Sequence, residues 1–256
     1  MVLLAVSAVA TSAAQAENAP SYTIEGRRLG EGESHHISAK APNEKGLKLT
    51  TPEAGVTITC TRSSIEGSTG IIIDSKEGEP GTSQEVFLFE GCTVTGNGSA
   101  CRVAEPIKTK PIKNELVEDS TGRKLETLLQ PESGTEWMVL RFEGGTCTNK
   151  ETKVTGATVG KDVTDPGEEV VELGQTAKEA LSWNLRFPNT RIKEVTQYKA
   201  GVGTKIKVKE LTAFSESSIL TGVILLLLAN SEGKTEEKKW SPYHSQGSSV
   251  ASEQSV

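Results

Sequence analysis

Four cysteines, Cys60, Cys92, Cys101 and Cys147, are the residues of this chain whose type and spacing point most directly to chemistry. No two of them stand as a close pair of the C-x-x-C kind, which a zinc site needs, and no histidine lies in the middle of the chain to activate a thiolate. An even set without either feature is read as a set of structural disulfides. Four cysteines allow three pairings. Cys92 and Cys101 flank a segment containing Asn97-Gly98, a hairpin-turn dipeptide, so the expected bridges are Cys92–Cys101 and Cys60–Cys147.

Other chemistry is sparse. There are three histidines, His35, His36 and His244, all in polar flanking segments. His35 and His36 beside Glu31 and Glu33 are read as solvated loop residues, since neighbours in an extended chain point apart and a metal would need further ligands. A Ser-His-Asp arrangement would have to recruit one of these three. Carboxylates are plentiful, and Asp74, Glu85, Glu90 and Glu143 lie on or beside strand-like segments, but nothing in the spacing pairs two of them as glycan hydrolysis requires. Asp162, Asp165, Glu168 and Glu169 match no EF-hand loop and are read as a solvated acidic linker. Asn97-Gly98-Ser99 has the form of a glycosylation acceptor and is read as the hairpin turn. No catalytic residue, metal ligand or cofactor is assigned.

The elements that must carry these residues are strands. The texture from Leu47 onward is short alternating or apolar runs broken by turns: Val56-Thr57-Ile58-Thr59, Gly70-Ile71-Ile72-Ile73, Val86-Phe87-Leu88-Phe89, Trp137 to Phe142, Val154 to Gly160, and Leu181 to Phe187. Breaks every ~8–12 residues predict an all-β protein, an antiparallel sandwich or barrel-like double sheet stapled by disulfides. Trp137 and Trp183 fall within apolar strands and are expected in the core rather than on a sugar-binding platform. Val223 to Ala229 is seven consecutive apolar residues, too short to span a bilayer (~20 residues), and is expected as an interior strand covered on both faces. Lys205, Lys207 and Lys209 alternate as one solvated strand face.

Ends and charge set the setting. Val2 to Ala10 is an apolar run followed by the small-x-small site Ala14-Gln15-Ala16, which predicts a secretory signal peptide over residues 1–16, cut before Glu17. No Lys or Arg precedes that run, so a true start upstream of Met1 is expected. The mature chain is read as one β domain over 17–243, with a sub-boundary at the acidic stretch 161–175, a flexible tail over 244–256 and no transmembrane segment. With 28 Lys and Arg against 34 Asp and Glu the net charge is -6, which argues against nucleic acid as a partner.

The order Ile58-Thr59-Cys60, Phe89-Glu90-Gly91-Cys92-Thr93-Val94, Cys101, Pro106-Ile107-Lys108-Thr109 and Phe142 to Cys147, with Leu211-Thr212-Ala213-Phe214 and Leu220-Thr221-Gly222 later, resembles an uncharacterised family of exported, cysteine-containing β-rich proteins of actinobacteria. That resemblance runs from about Cys60 to Trp240, and implies export and an all-β fold but no activity. The expectation is therefore a secreted or cell-surface structural or interaction protein with a cell-envelope or extracellular protein partner. A carboxylate-based glycan hydrolase and a carbohydrate- or calcium-binding module are the alternatives.

Overall fold

The computed structural model describes residues 19–41, 46–74, 76, 78–144, 147, 149–163 and 179–243. Strands make up the regular structure, with no α-helix among the described residues. Eight antiparallel strands close a barrel. Going round it they are Ile219–Ala229, Ser182–Phe187, Thr158–Val163, Leu125–Pro131, Ile112–Asp119, Thr82–Glu85, Ile71–Ile73 and Ser34–Lys40, and the last pairs back onto the first. Closure removes the unpaired edges that would otherwise invite aggregation. The Glu194–Lys199/Val202–Lys207 hairpin branches from the far end of Ile112–Asp119. It packs Val195 onto Val117, Leu128 and Val159 on the barrel's outer face.

A second β unit grows from the same wall. Strand Ile219–Ala229 is shared: its first residues pair with Leu47–Thr51, and Leu225 to Ala229 pair with Ser34–Lys40. From Leu47–Thr51 the sheet continues through Val56–Ile65 and Phe87–Gly96 to Ile107–Lys108. Opposite it lie Glu136–Glu143, Glu151–Thr155 and Thr212–Ala213, so that Leu49, Ile58, Phe89, Met138 and Leu140 meet between the two layers. Gly222 stands where the shared strand leaves one unit for the other. Its φ is +123°, and a Cβ there would lie 2.5 Å from the Gly46 carbonyl oxygen, so only glycine lets the backbones cross.

The apolar run behaves as a sheet interior on its edges, being paired with Ser182–Phe187 on one side and Ser34–Lys40 on the other. Both faces are mixed: Ile224 and Leu228 point into the barrel and are buried with Leu226 half-buried between them, while on the outer face Leu227 and Ala229 are buried and Val223 and Leu225 half-buried. Cover on both faces is therefore incomplete: a closed barrel has one interior, and the outer wall here is only partly overlaid. Trp137 and Trp183 are buried as expected, and Trp240 joins them, its carbonyl accepting from the Trp183 indole. Leu181, read as the first core position of its strand, is exposed, because the strand begins one residue later at Ser182. Lys205 and Lys207 are exposed on their strand and Lys209 just beyond it.

All four cysteines are bridged, but the pairing differs from the expected one. The bridges are Cys60–Cys92 and Cys101–Cys147. Asn97-Gly98 does form a turn, yet the chain leaving it does not pair back on the strand before it. Phe87–Gly96 pairs with Val56–Ile65, which sets Cys60 directly opposite Cys92, and Arg102–Val103 crosses to pair with Glu136–Glu143. A turn dipeptide specifies a reversal, and partner choice was decided by the sheet.

Candidate functional site

Strand periodicity turns every second residue of the barrel inward, and the inward set is not wholly apolar. Glu85 and Ser83 come from one strand, Asn114 from its neighbour, Thr127 from the next and Asp162 from the one after. All are buried. The Asn114 amide donates to Ser83 Oγ at 3.1 Å and to Glu85 Oε1, and Thr127 Oγ1 donates to Asp162 Oδ2 at 2.8 Å. Tyr22, from the N-terminal strand Ser21–Ile24, brings its phenol to Ser83. Its ring passes so close to the Gly81 backbone that a Cβ there would sit 2.9 Å from two ring carbons, so a side chain at Gly81 would push the ring out.

Burial governs the acid–base state of this cluster. Removal from water disfavours the charged form of a carboxyl. It raises Glu85 from 4.5 to about 8, against the pull of the Ser83 and Asn114 hydrogen bonds. It raises Asp162 from 3.8 to about 7 despite the Thr127 hydroxyl. Glu126, outward on the same strand as Thr127, is raised to about 7, again chiefly by burial. Tyr22 is pushed well above its ordinary value by burial and then by the Asp162 and Glu85 carboxyls. Glu85 is thus held as a neutral acid at pH 7, with a donor of its own. Glu85 Oε2 and Asn114 Oδ1 are both buried without a hydrogen-bond partner among the described residues.

The residues singled out in the sequence are dispersed. Of Asp74, Glu85, Glu90 and Glu143, only Asp74 and Glu85 are buried; both act on Tyr22, and Asp74 pairs with Arg28 Nε at 3.5 Å. Glu90 and Glu143 are exposed, Glu90 pairing with Arg62. His35 and His36 belong to strand Ser34–Lys40 and not to a loop; alternation sends them to opposite faces, and His35 Nε2 lies 3.2 Å from Glu33 Oε1. The Arg27 guanidinium holds Glu33 far below the usual carboxylate range. His244, Asp165, Glu168 and Glu169 lie outside the described residues. Asp162, read as the start of a solvated linker, is an interior barrel residue, and Thr158–Val163 and Ser182–Phe187 pair across the stretch taken as a boundary. The signal for this was Val163, which extends the Val159, Lys161 alternation past Gly160. Asn97 donates its amide to the Ala54 carbonyl at 3.0 Å, tying its turn to the neighbouring hairpin.

Two surface clefts carry chemistry that no motif announced. One, about 330 Å³, lies beside the Cys101–Cys147 bridge and is lined by Phe142, Phe214, Glu53, Glu216 and the amides Asn97 and Asn149. Phe214 and Ser215 form the two-residue turn between Thr212–Ala213 and Glu216–Ser217, with φ of 55° and 61°. Such turns favour Asn and Gly, so an aromatic residue is held here at a backbone cost. Its ring leans on Phe142 with centroids 5.7 Å apart. The other cleft, about 300 Å³, sits at the foot of the shared strand, with Val159, Leu211 and Leu220 in its lining and Arg191, Lys193, Lys207 and Lys209 round it.

Set against known protein families, curated proteins and solved structures, the chain matches none.

Proposed function

We propose that this chain is an exported protein of the cell exterior that acts by holding structure and by binding, not by catalysis. The observation that carries the reading is the pair of disulfides. Both join segments of the second β unit, and such bridges persist in oxidising compartments and are reduced in the cytosol. The placement of the acids supports the non-catalytic part. Glu85 and Asp162 have the raised pKa values that a general acid needs, but at 2% and 4% exposure they are sealed inside the barrel, where they accept from Asn114 and Thr127. The test is mass spectrometry of the secreted or surface fraction. Glu17 should be the first residue, and non-reduced digests should contain Cys60–Cys92 and Cys101–Cys147 peptides. Intact chain with free thiols recovered from the cytoplasm would overturn the proposal.

A second reading, a carbohydrate-binding module, is favoured by the cleft at Phe142 and Phe214, where rings, amides and carboxylates face one space. The hydrolase alternative fits it less well. Glu53 and Glu216 hydrogen-bond to each other, which raises Glu216, whereas glycan hydrolysis needs two carboxyls roughly 5–9 Å apart. Titration with soluble oligosaccharides should move the amide resonances of Phe214 and Asn149; a silent cleft would dismiss this reading.

A further inference from the structure

The cleft at the foot of the shared strand reverses the charge of the molecule. Arg191, Lys193, Lys207 and Lys209 face Glu210 as the carboxylate of that lining, four cations against one anion in a chain of net charge -6. Arg191 is engaged by Glu210, which also accepts from Ser217 Oγ and feels the charge of Lys193. Lys207 and Lys209 are exposed and have no ion-pair partner among the described residues. Beneath these cations the walls are apolar: Val159, Leu211 and Leu220 are buried, and Val208 is partly exposed over the Val117, Leu128 and Val195 cluster.

The two halves of this lining demand different things of a ligand. A bare inorganic anion would satisfy the lysines and leave the apolar floor wet, and a neutral hydrophobe would do the opposite. A volume of about 300 Å³ is at the small end of small-molecule sites, ~300–1,000 Å³. We propose that this cleft binds a small anionic amphiphile, a single acidic head group on a short apolar body, with Lys207 and Lys209 taking the head and the Val159, Val208 and Leu220 surface taking the body. The inference deepens the binding role proposed above. It does not depend on export, so its failure would leave that proposal standing.

The probe is decanoate, titrated into the mature protein at low salt and followed by calorimetry and by amide chemical shifts. Saturable binding is expected, with shifts at Val159, Val208 and Leu220, weaker by at least ~10-fold in the Lys207→Glu, Lys209→Glu double variant. Both lysines are exposed, so the variant should melt with the wild type, which separates lost binding from lost fold. Acetate and decanol, each carrying half of the chemistry, should bind at least ~10-fold more weakly than decanoate. The proposal is overturned if decanoate does not bind, if decanol binds as tightly, or if charge reversal leaves the affinity unchanged. Binding to anionic vesicles without binding of free decanoate would also overturn it, assigning the lysines to a membrane surface.

Discussion

The barrel and the β unit beside it solve the same problem with different materials. The second unit has a core of Leu49, Ile58, Phe89, Met138 and Leu140, and both disulfides tie its strands and turns together. The barrel has no bridge among the described residues and places Glu85, Asn114, Thr127 and Asp162 where apolar side chains would serve. A small two-layer sheet unit has open edges and gains from cross-links that restrict its unfolded chain. A closed barrel has no edge to tie, and can accommodate a buried polar group provided it is neutral and hydrogen-bonded. The cross-links therefore sit in one half of the molecule and the titrating acids in the other, although the bridged loops run through four barrel strands, Ile71–Ile73, Thr82–Glu85, Ile112–Asp119 and Leu125–Pro131.

The change expected to do most harm strikes both halves at once. Ile224 is 1% exposed on the strand they share, so Ile224→Asp buries an unpaired charge and should cost several kcal/mol. Soluble yield and circular dichroism should show both units lost together; survival of either alone would mean that the two fold independently.

Disulfide removal should separate them. The bridges close loops of 32 and 46 residues, for which loop closure contributes about 3–4 kcal/mol each and differs between them by only a few tenths. Cys60→Ala and Cys147→Ala should therefore lower the melting temperature by similar amounts. On reduction, hydrogen exchange should accelerate at Ile58 and Leu140 well before Leu185, which lies outside both bridged loops. Uniform acceleration would erase the distinction.

The pH dependence should come from the barrel. Glu85 goes from 4.5 unfolded to about 8 folded and Asp162 from 3.8 to about 7, so the folded state keeps protons that the unfolded chain releases. Their stabilisation is fully present below about pH 4 and is lost as pH rises through the folded values, complete a little above pH 8. Glu85→Gln keeps the shape and the hydrogen-bonding capacity without the proton. It should melt higher than wild type at pH 9, by an amount on the order of 2 kcal/mol, and lie close to it at pH 4.5. Melting curves that run parallel from pH 5 to 9 would show that the cluster does not titrate in the folded protein.

The smallest effect concerns the strained turn. Ser215 is exposed with φ of 61°, so Ser215→Gly relieves a left-handed residue without removing a packed side chain. It should stabilise the second unit by roughly 0.5–1 kcal/mol, read as a rise of a few degrees in melting temperature.

The all-β class, the buried Trp137 and Trp183, the paired interior strand and the bridging of every cysteine were legible, because alternation, turn residues and an even cysteine count are local signals. What failed was partnership. Cys92 and Cys101 flank a true turn, yet their bonding partners were chosen by sheets assembled from distant segments. Asp162 was misread because an acid beside Pro166, Glu168 and Glu169 looks solvated, and only the closed barrel turns it inward. The polar interior and the cationic cleft join residues from four or more segments each, and no window of sequence contains either.

The shared strand has a last consequence, for the order in which the molecule can be made. Ile37 finds its partner in Leu228, and Tyr22 finds its own in Pro242, so neither the barrel wall nor its N-terminal plug can form until almost the whole chain is available. Contacts this distant along the sequence fold slowly. A growing polypeptide with this topology keeps its barrel open until residues 225–229 have been made, an interval that a chaperone must guard.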